Sequence, residues 1–484
     1  MSEIVKGDFW ENHTKAEVQT YIEDQLDSKV NPSDVVWEAG GGVNAVKQKG
    51  TGSTANGDMA CATGENTSAV AKGSHAEGYS TGATGEYAHA EGAISQATAD
   101  HAHAEGTNTL AGAKSSHAEG CKTVAGIDNQ PTPLESTISG ICSHAEGNGT
   151  LASGHASHSE GRGTRARGRS AHAEGENTAA PGDYAHSEGY GSVANNAFSH
   201  AEGNGTAANA ESSHTEGRAT YTHAKYSHAE GRGSRTGGTT TPTVSTDETD
   251  DGVYAHAEGN GTWAKGLASH SEGAGTFAGD NRAHAEGYQT TAIGVNSHSE
   301  GNSSNANNVA RTSSSTTTEI QTAWNSSAKF SCAKGQNAHV EGNNCLALAN
   351  HTHAEGNQTV AAGQQSHTEG YLTETKNQSE HAEGRCNKST YTNTTFGNAG
   401  NTISSIGIGS SASNRKNAVE VMQNGDTYMY GFGGYDGTNA TSISAIPINK
   451  ILSGAIQIVV LTQSEYNSLL SDGHINPLIL YIIK

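Results

Sequence analysis

The chain has 484 residues, of which 32% are hydrophobic and 5% aromatic, and glycine alone supplies 62 of them. This composition and the net charge of -22 exclude an ordinary apolar core. Low hydrophobicity and high polarity are typical of disordered chains, but a disordered chain has no fixed sequence period and this one has. We therefore expect order that comes from repetition.

Residues 1–45 precede the repeats and predict a short helix, which either caps the repeats or docks onto a larger particle. Its apolar residues lie near helical spacing: Phe9, Trp10, Val18, Tyr21, Ile22 and Leu26. The candidate docking residues are Phe9, Trp10, Tyr21 and Ile22. Residues 1–13 are charged and lack an apolar core, so we expect no secretory signal. No run of 18 apolar residues predicts a membrane span.

Residues 46–417 contain nineteen copies of His-x-Glu-Gly, mostly 14 residues apart, a fixed period that is typical of a solenoid. The unit is Ser-His-Ala-Glu-Gly-x-x-Thr-x-Ala-x-Gly-x-x. Its His-Ala-Glu and Thr-x-Ala stretches alternate with period two and are closed by glycine-containing turns, which predicts two short strands in each repeat. Because alanine fits a thin interior, histidine and glutamate share the outer face. The sequence thus predicts an all-β, two-walled parallel roll with 14-residue coils.

The two ends of the array indicate that this outer face is buried. Ser405-Ile406-Gly407-Ile408-Gly409 places isoleucines in the histidine and glutamate frame, and Cys61 falls 14 residues before the first motif histidine. A position that accepts Ile-x-Ile is expected to be buried, here against another chain. The predicted interface residues are His75, Glu77, His89, Glu91, His103, Glu105, His117, Glu119, His144, Glu146, His158, Glu160, His172, Glu174, His186, Glu188, His200, Glu202, His214, Glu216, His228, Glu230, His256, Glu258, His270, Glu272, His284, Glu286, His298, Glu300, His339, Glu341, His353, Glu355, His367, Glu369, His381, Glu383, Ile406 and Ile408.

Ser-Ile-Gly-Ile-Gly resembles the Ser-Val-Ala-Ile-Gly repeat of the trimeric autotransporter adhesin head (YadA-like head). Ser-His-Ala-Glu-Gly resembles the variant of that repeat in bacteriophage tail and fibre proteins. The resemblance covers roughly residues 47–420 and implies a left-handed parallel β-roll that forms a homotrimer through one wall. The ends of the chain resemble structural proteins of phages of gut Bacteroidales (crAss-like). This likeness implies a virion protein that is assembled in the bacterial cytoplasm.

Three wider spacings predict insertions near residues 127–141, 237–253 and 308–323. Each is expected to leave just past the small residue eight positions after a histidine, at Ala125, Thr236 and Ala306, and therefore from one edge. A degenerate coil is expected at about Asn325. Long loops on a rigid scaffold are common binding sites, and tolerated surface decoration is the alternative.

The residues after the array predict two further elements. Residues 418–440 predict a β-hairpin, with Asn424-Gly425 as its turn, and a glycine-rich connector. Residues 441–484 predict a small α+β module of strand, helix and strand, with the helix from about Ser464 to Leu470. It resembles the small C-terminal domain of many phage tail proteins, which implies trimerisation, contact with another virion protein or contact with the host.

No single catalytic constellation stands out from the repeats, so we expect no enzyme and no cofactor. His-x-Glu lacks the helical His-Glu-x-x-His arrangement of metalloproteases, so no metal site is expected, although three histidines around a trimer axis can bind a transition metal. The six cysteines lack Cys-x-x-Cys spacing and indicate reduced small residues rather than disulfides. A buried histidine beside a carboxylate is expected to have a raised pKa, and the glutamate a lowered one.

These features together predict a structural virion protein of a tailed phage. It would form a homotrimeric fibre or spike on the tail, collar or capsid, roughly 100 Å long at about 4.8 Å per coil, and attach to a host surface. Other virion proteins at one end and a host glycan or protein are the expected partners, with neither nucleic acid nor membrane insertion. A bacterial trimeric surface adhesin and a scaffolding or decoration fibre without receptor binding are the alternatives.

Overall fold

The computed structural model describes residues 37–126, 140–238, 251–304, 315–326, 329–429, 446–447, 457–471 and 479–483. In these residues the fold is an all-β solenoid of parallel strands with two short helices, which confirms the predicted fold class at that level. The chain divides into two units, residues 1–199 and 200–484. The predicted N-terminal helix and its docking candidates Phe9, Trp10, Tyr21 and Ile22 lie outside the described residues.

Each coil has a first wall, whose strand begins at a motif histidine, and a second wall with a strand of two residues. In the first wall Ala104 has no exposed surface, while its neighbours His103 and Glu105 are partly exposed. In the second wall Thr109 and Ala111 point inward and are buried. The predicted alternation is therefore confirmed, and the inward positions of this coil hold small side chains.

In the described part of the first unit, ten coils have strands in both walls. Each motif histidine pairs in parallel with that of the next coil, as His103 does with His117. The strand Trp37–Ala39 pairs antiparallel with Val46–Gln48, the first-wall strand of the first coil. The first-wall strands are Val46–Gln48, Cys61–Glu65, His75–Tyr79, His89–Ala93, His103–Thr107, His117–Cys121, His144–Asn148, His158–Arg162, His172–Ala173 and His186–Ser187. The second-wall strands are Thr54–Ala55, Ser68–Ala69, Gly82–Ala83, Gln96–Ala97, Leu110–Ala111, Val124–Ala125, Leu151–Ala152, Arg165–Ala166, Ala179–Ala180 and Val193–Ala194.

The second unit repeats this arrangement of two walls, and other strands and a helix follow its last coil. The first-wall strands are His200–Ala201, His214–Thr215, His228–Arg232, His256–Asn260, His270–Ala274, His284–Ala285, His298–Asn302, His339–Asn343, His353–Asn357, His367–Thr368, His381–Arg385 and Thr402–Ile408. The second-wall strands are Ala207–Ala208, Tyr221–Thr222, Arg235–Thr236, Trp263–Ala264, Phe277–Ala278, Thr291–Ala292, Cys332–Ala333, Leu346–Ala347, Val360–Ala361 and Glu374–Thr375. A helix, α1, spans Thr317–Ser326.

The third insertion differs from its predicted course. His298 pairs directly with His339, and Asn325 lies in α1, so the predicted degenerate coil there is wrong. The second-wall strand that pairs with Thr291–Ala292 is Cys332–Ala333. The second-wall strand of this coil therefore comes after the insertion rather than before it, and Ala306, the predicted exit, lies outside the described residues. The other two insertions follow the second-wall strands that end at Ala125 and Thr236, so the three leave from two kinds of turn rather than from one edge.

The register of the last coil also differs from the prediction. Ser404 pairs with His381, Ile406 with Glu383 and Ile408 with Arg385. Ile406 therefore occupies a glutamate position, and Ile408 lies beyond the glycine position, so neither takes a histidine position. Both side chains remain exposed, at 39% and 58%, on the same outer face as the motif residues.

The hairpin expected at Asn424-Gly425 is present, formed by antiparallel strands Asn417–Met422 and Thr427–Met429. The latter also pairs with Ile446–Pro447. Near the end of the chain, Gln457–Leu461 pairs in parallel with Ile479–Ile483. A second helix, α2, spans Gln463–Ser471 between these strands. The strand, helix and strand expected here are therefore present.

Candidate functional site

The outer face of the first wall carries the motif histidines and glutamates, which we call the His–Glu strip. Parallel pairing without a register shift places identical residues side by side at the spacing of neighbouring strands. The imidazole rings of His103 and His117 are stacked, with centroids 4.7 Å apart and 9° between their planes. Stacked pairs of this kind recur in both units, as between His214 and His228 at 4.6 Å. The alternation of His-Ala-Glu thus builds one histidine column and one parallel glutamate column in each unit.

The two columns lie within ion-pair distance of each other. The distance from His103 Nε2 to Glu105 Oε2 is 3.6 Å, and each side chain is about one-third exposed, at 34% and 37%. Contacts also cross between coils, and His256 Nε2 lies 3.2 Å from Glu230 Oε1. Most imidazoles of the strip therefore have a carboxylate within ion-pair distance, in their own coil or in the preceding one.

The expectation of raised histidine pKa values is wrong at His117 and His353 in a single chain. Burial lowers the pKa of His117, and the stacked imidazoles of His103 and His144 lower it further, against the opposing effect of Glu119. The same causes lower the pKa of His353 to about 4. Stacking places like groups as neighbours, and like charges at that spacing disfavour the charged form.

The expectation of lowered glutamate pKa values is wrong at Glu174. The side-chain hydrogen bond that it shares with Glu188 raises its pKa most, and burial and Glu160 add to the rise, to about 7. At Glu174 the neighbouring carboxylates therefore favour the protonated form.

Many Nε2 atoms of the strip are shielded from solvent yet form no hydrogen bond within the described residues. They include those of His103, His117, His144 and His158. A shielded polar atom without a partner carries a free-energy cost. The carboxylate of the same coil, 3.6 Å from His103 Nε2, is within ion-pair distance but beyond hydrogen-bond distance, so the hydrogen-bonding capacity of these Nε2 atoms is unused among the described residues.

A groove follows the glutamate column of the first unit. It has a volume of about 420 Å³ and is lined by Glu77, Glu91 and Glu105 together with the glycines that follow the glutamates in the motif. Those glycines are required by close packing, since a Cβ on Gly106 would lie 2.1 Å from the carbonyl oxygen of Gly120. The groove therefore offers carboxylates beside a backbone that has no side chains to cover them.

The second wall of the second unit is partly covered by the chain itself. Helix α1 buries Ile320 and Trp324 against outward-pointing second-wall residues, among them Phe277 and Leu346. The Trp324 indole Nε1 donates a hydrogen bond to the Asn344 carbonyl oxygen at 3.2 Å. Sequence reasoning missed this cluster, although the aromatic and aliphatic residues at the outer positions of these second-wall strands were a signal of it.

One buried carboxylate, Glu380, lies beside the strip without belonging to it. Its Oε2 accepts hydrogen bonds from the backbone amides of Lys376 and Asn377, from Asn377 Nδ2 and from Ser389 Oγ, at 2.8 to 2.9 Å. Burial nevertheless raises its pKa to about 7. Sequence reasoning missed it, although an acidic residue where other repeats have serine or alanine was a visible departure.

Each predicted histidine and glutamate of the strip lies on the first wall, in the part of the chain that the structure describes. Ile406 continues the glutamate column. No family model and no curated protein matches the sequence. Among the described residues, neither helix is long and apolar enough to cross a membrane.

Proposed function

We propose that the protein is a structural fibre protein in which three copies associate through the His–Glu strip. The observation that carries the proposal is the set of shielded Nε2 atoms without hydrogen bonds, such as those of His117 and His144, on a face that repeats in every coil. One strip contains both a donor column and an acceptor column. It can therefore pair with identical strips around a three-fold axis, with the histidines of one copy facing the glutamates of the next.

The second wall supports this choice of face. In the second unit α1 covers part of that wall, and Ile320 and Trp324 fill the space above it. A contact between copies through this part of the second wall would require the helix to leave. The first-wall face has no such cover among the described residues, so it is the face that is open to association.

Polar columns give such an interface a property that aliphatic columns lack. Buried ion pairs add little net stability compared with apolar residues of similar size, but they are well placed to fix register. Directional hydrogen bonds disfavour a shift by a fraction of a coil, which an apolar contact would tolerate, whereas a shift by a whole coil preserves both kinds of contact because every motif coil carries the same pair. The substitution of the motif by Ile406 at the last coil would then mark the end of the polar columns.

We further propose that the fibre belongs to the virion of a tailed phage and attaches to the host surface. The Ser-His-Ala-Glu-Gly repeat and the ends of the chain resemble phage tail and structural proteins. The insertions are the segments that depart from the repeat, and long loops on a rigid scaffold commonly carry binding. A left-handed roll with 14-residue coils is part of the same proposal.

Imaging of labelled virions tests this proposal. Antibodies against the full chain, applied to virions whose genome encodes it, should label fibres or spikes on the tail, collar or capsid. Antibodies against residues 308–323 should block adsorption of the phage to its host. Labelling of virions without any block of adsorption would favour a scaffolding or decoration fibre. Labelling of bacterial cells that carry no phage would favour a surface adhesin and overturn the virion proposal.

A further inference from the structure

We propose that the His–Glu strip binds divalent transition-metal ions, each held by the Nε2 atoms of two successive motif histidines and one carboxylate oxygen of the glutamate between them. The argument rests on the geometry of a single chain, and does not require the proposed trimer. It differs from the expectation of no metal site, which considered the ligands of one strand and histidines around a trimer axis but not those of neighbouring coils in one chain.

The donor atoms already lie close together. In the set formed by His103, Glu105 and His117, the three ligand atoms all lie within 4.8 Å of one another. The Nε2 and Oε2 atoms of His103 and Glu105 are 3.6 Å apart, and those of His117 and Glu119 are also 3.6 Å apart. Two ligands of one tetrahedral zinc ion, at about 2.0 to 2.2 Å each, lie roughly 3.3 to 3.5 Å apart. The same-coil pairs are already close to that separation. The two imidazoles, stacked in parallel at 4.7 Å, have to rotate so that their Nε2 lone pairs converge and have to approach by about 1 Å.

The donor set selects the kind of ion. Two imidazole nitrogens and one carboxylate oxygen suit zinc, nickel, cobalt and copper. Magnesium and calcium prefer oxygen ligands alone. The Nε2 atoms of His117, His144 and His158 have no hydrogen-bond partner among the described residues, so an ion would give each of them one. The ion would also place positive charge beside the crowded carboxylates.

The repeat sets the stoichiometry. Four successive sets share their histidines: His103 with His117, His117 with His144, His144 with His158, and His158 with His172. One Nε2 lone pair binds one ion, so neighbouring sets compete for the histidine that they share. The run from His103 to His172 therefore holds at most two ions, one for every two coils.

The test measures metal retained by the full-length chain. A chelator first removes any bound metal from the chain, which is then loaded with zinc chloride and desalted. Bound zinc is measured by inductively coupled plasma mass spectrometry. The strip variant carries His117→Gln, His144→Gln and His158→Gln, which removes all four sets of the run. The control variant carries His101→Gln, His155→Gln and His351→Gln, which removes as many histidines outside the strip. Gln365 occupies the same turn position as His351 in the next coil and also has a positive φ, so glutamine is tolerated there.

We expect the wild type and the control to retain the same zinc, and the strip variant to retain about two fewer ions per chain. A hundredfold excess of magnesium chloride should displace none of it. Equal retention by the strip variant, displacement by magnesium, or no retention by the wild type would each overturn the proposal.

A second measurement needs no variant to fold. Copper(II) bound to the wild type should show hyperfine splitting from two nitrogens in its electron paramagnetic resonance spectrum, and a spectrum without nitrogen splitting would contradict the proposed ligands. The sedimentation mass of the same samples reports the number of chains. A monomer that binds zinc would contradict the proposed trimer and support the metal site. A trimer that binds no zinc would contradict the metal site and support the proposed trimer.

Discussion

Two neighbouring glycines, Gly147 near the end of the strand His144–Asn148 and Gly149 just after it, separate the cost of a left-handed backbone from the cost of close packing. Gly147 has φ +107, and a Cβ there would lie 2.2 Å from the carbonyl oxygen of Gly161. Gly149 has φ +69, and a Cβ there would meet nothing within 4 Å. Replacing Gly149 with alanine should cost about 1 kcal/mol, because only the left-handed conformation is penalised. Replacing Gly147 with alanine should cost a further 1 to 3 kcal/mol or more, because the next coil must also move.

The assay is chemical denaturation of the full chain, with the midpoint and slope compared among wild type, Gly147→Ala and Gly149→Ala. Gly149→Ala is the matched control, since residues other than glycine adopt positive φ at the corresponding turn position of other coils, as Asn108 does with φ +59. Equal losses for the two variants would refute the reasoning. It would mean that coils are not stacked closely at the glycine that follows the glutamate.

Three other changes have defined outcomes. Burial raises the pKa of Glu380 to about 7, so the wild type should lose up to about 3 kcal/mol through this group as pH rises from about 4.5 through 7, because the unfolded carboxyl ionises first. Glu380→Gln should remove this part of the loss, so its melting temperature should fall less between pH 5 and pH 8 than that of the wild type, and an equal fall would contradict the burial of this carboxyl. Trp324→Ala should cost about 3 to 5 kcal/mol and expose α1 to proteolysis, whereas unchanged cleavage would contradict its packing. Ala118→Leu should cost about 1 to 3 kcal/mol because the interior is full, and an unchanged denaturation midpoint would show that it is not.

The coil was readable from sequence because its determinants are local. The alternation of His103, Ala104 and Glu105 shows which side chains of a strand point inward and which point outward. The sequence period shows which residues of successive coils pair with each other. The last coil was misplaced because that period stops there. Among the described residues no second-wall strand lies between Arg385 and Thr402, so nothing keeps 14 residues per coil and Ile406 falls beside Glu383.

Features that depend on neighbouring coils were less readable. The repeat shows the attraction between His117 and Glu119, but the opposing effect of His103 and His144 arises only when rings stack at 4.7 Å. For the same reason, ligand sets that combine residues of two coils were not visible as a motif. The course of the third insertion was misread for a related reason, because the apolar contacts of α1 are made across several coils.

The number of chains in solution tests the central claim most directly. Sedimentation equilibrium should give three times the chain mass of 49.7 kDa. A variant with Leu110→Arg and Leu151→Arg, on the second wall where Arg165 already occupies the same column, should keep that mass. A variant with Glu105→Arg and Glu119→Arg, in the strip, should lower it. A wild type that sediments as a single chain, or a strip variant that stays trimeric, would contradict association through the His–Glu strip.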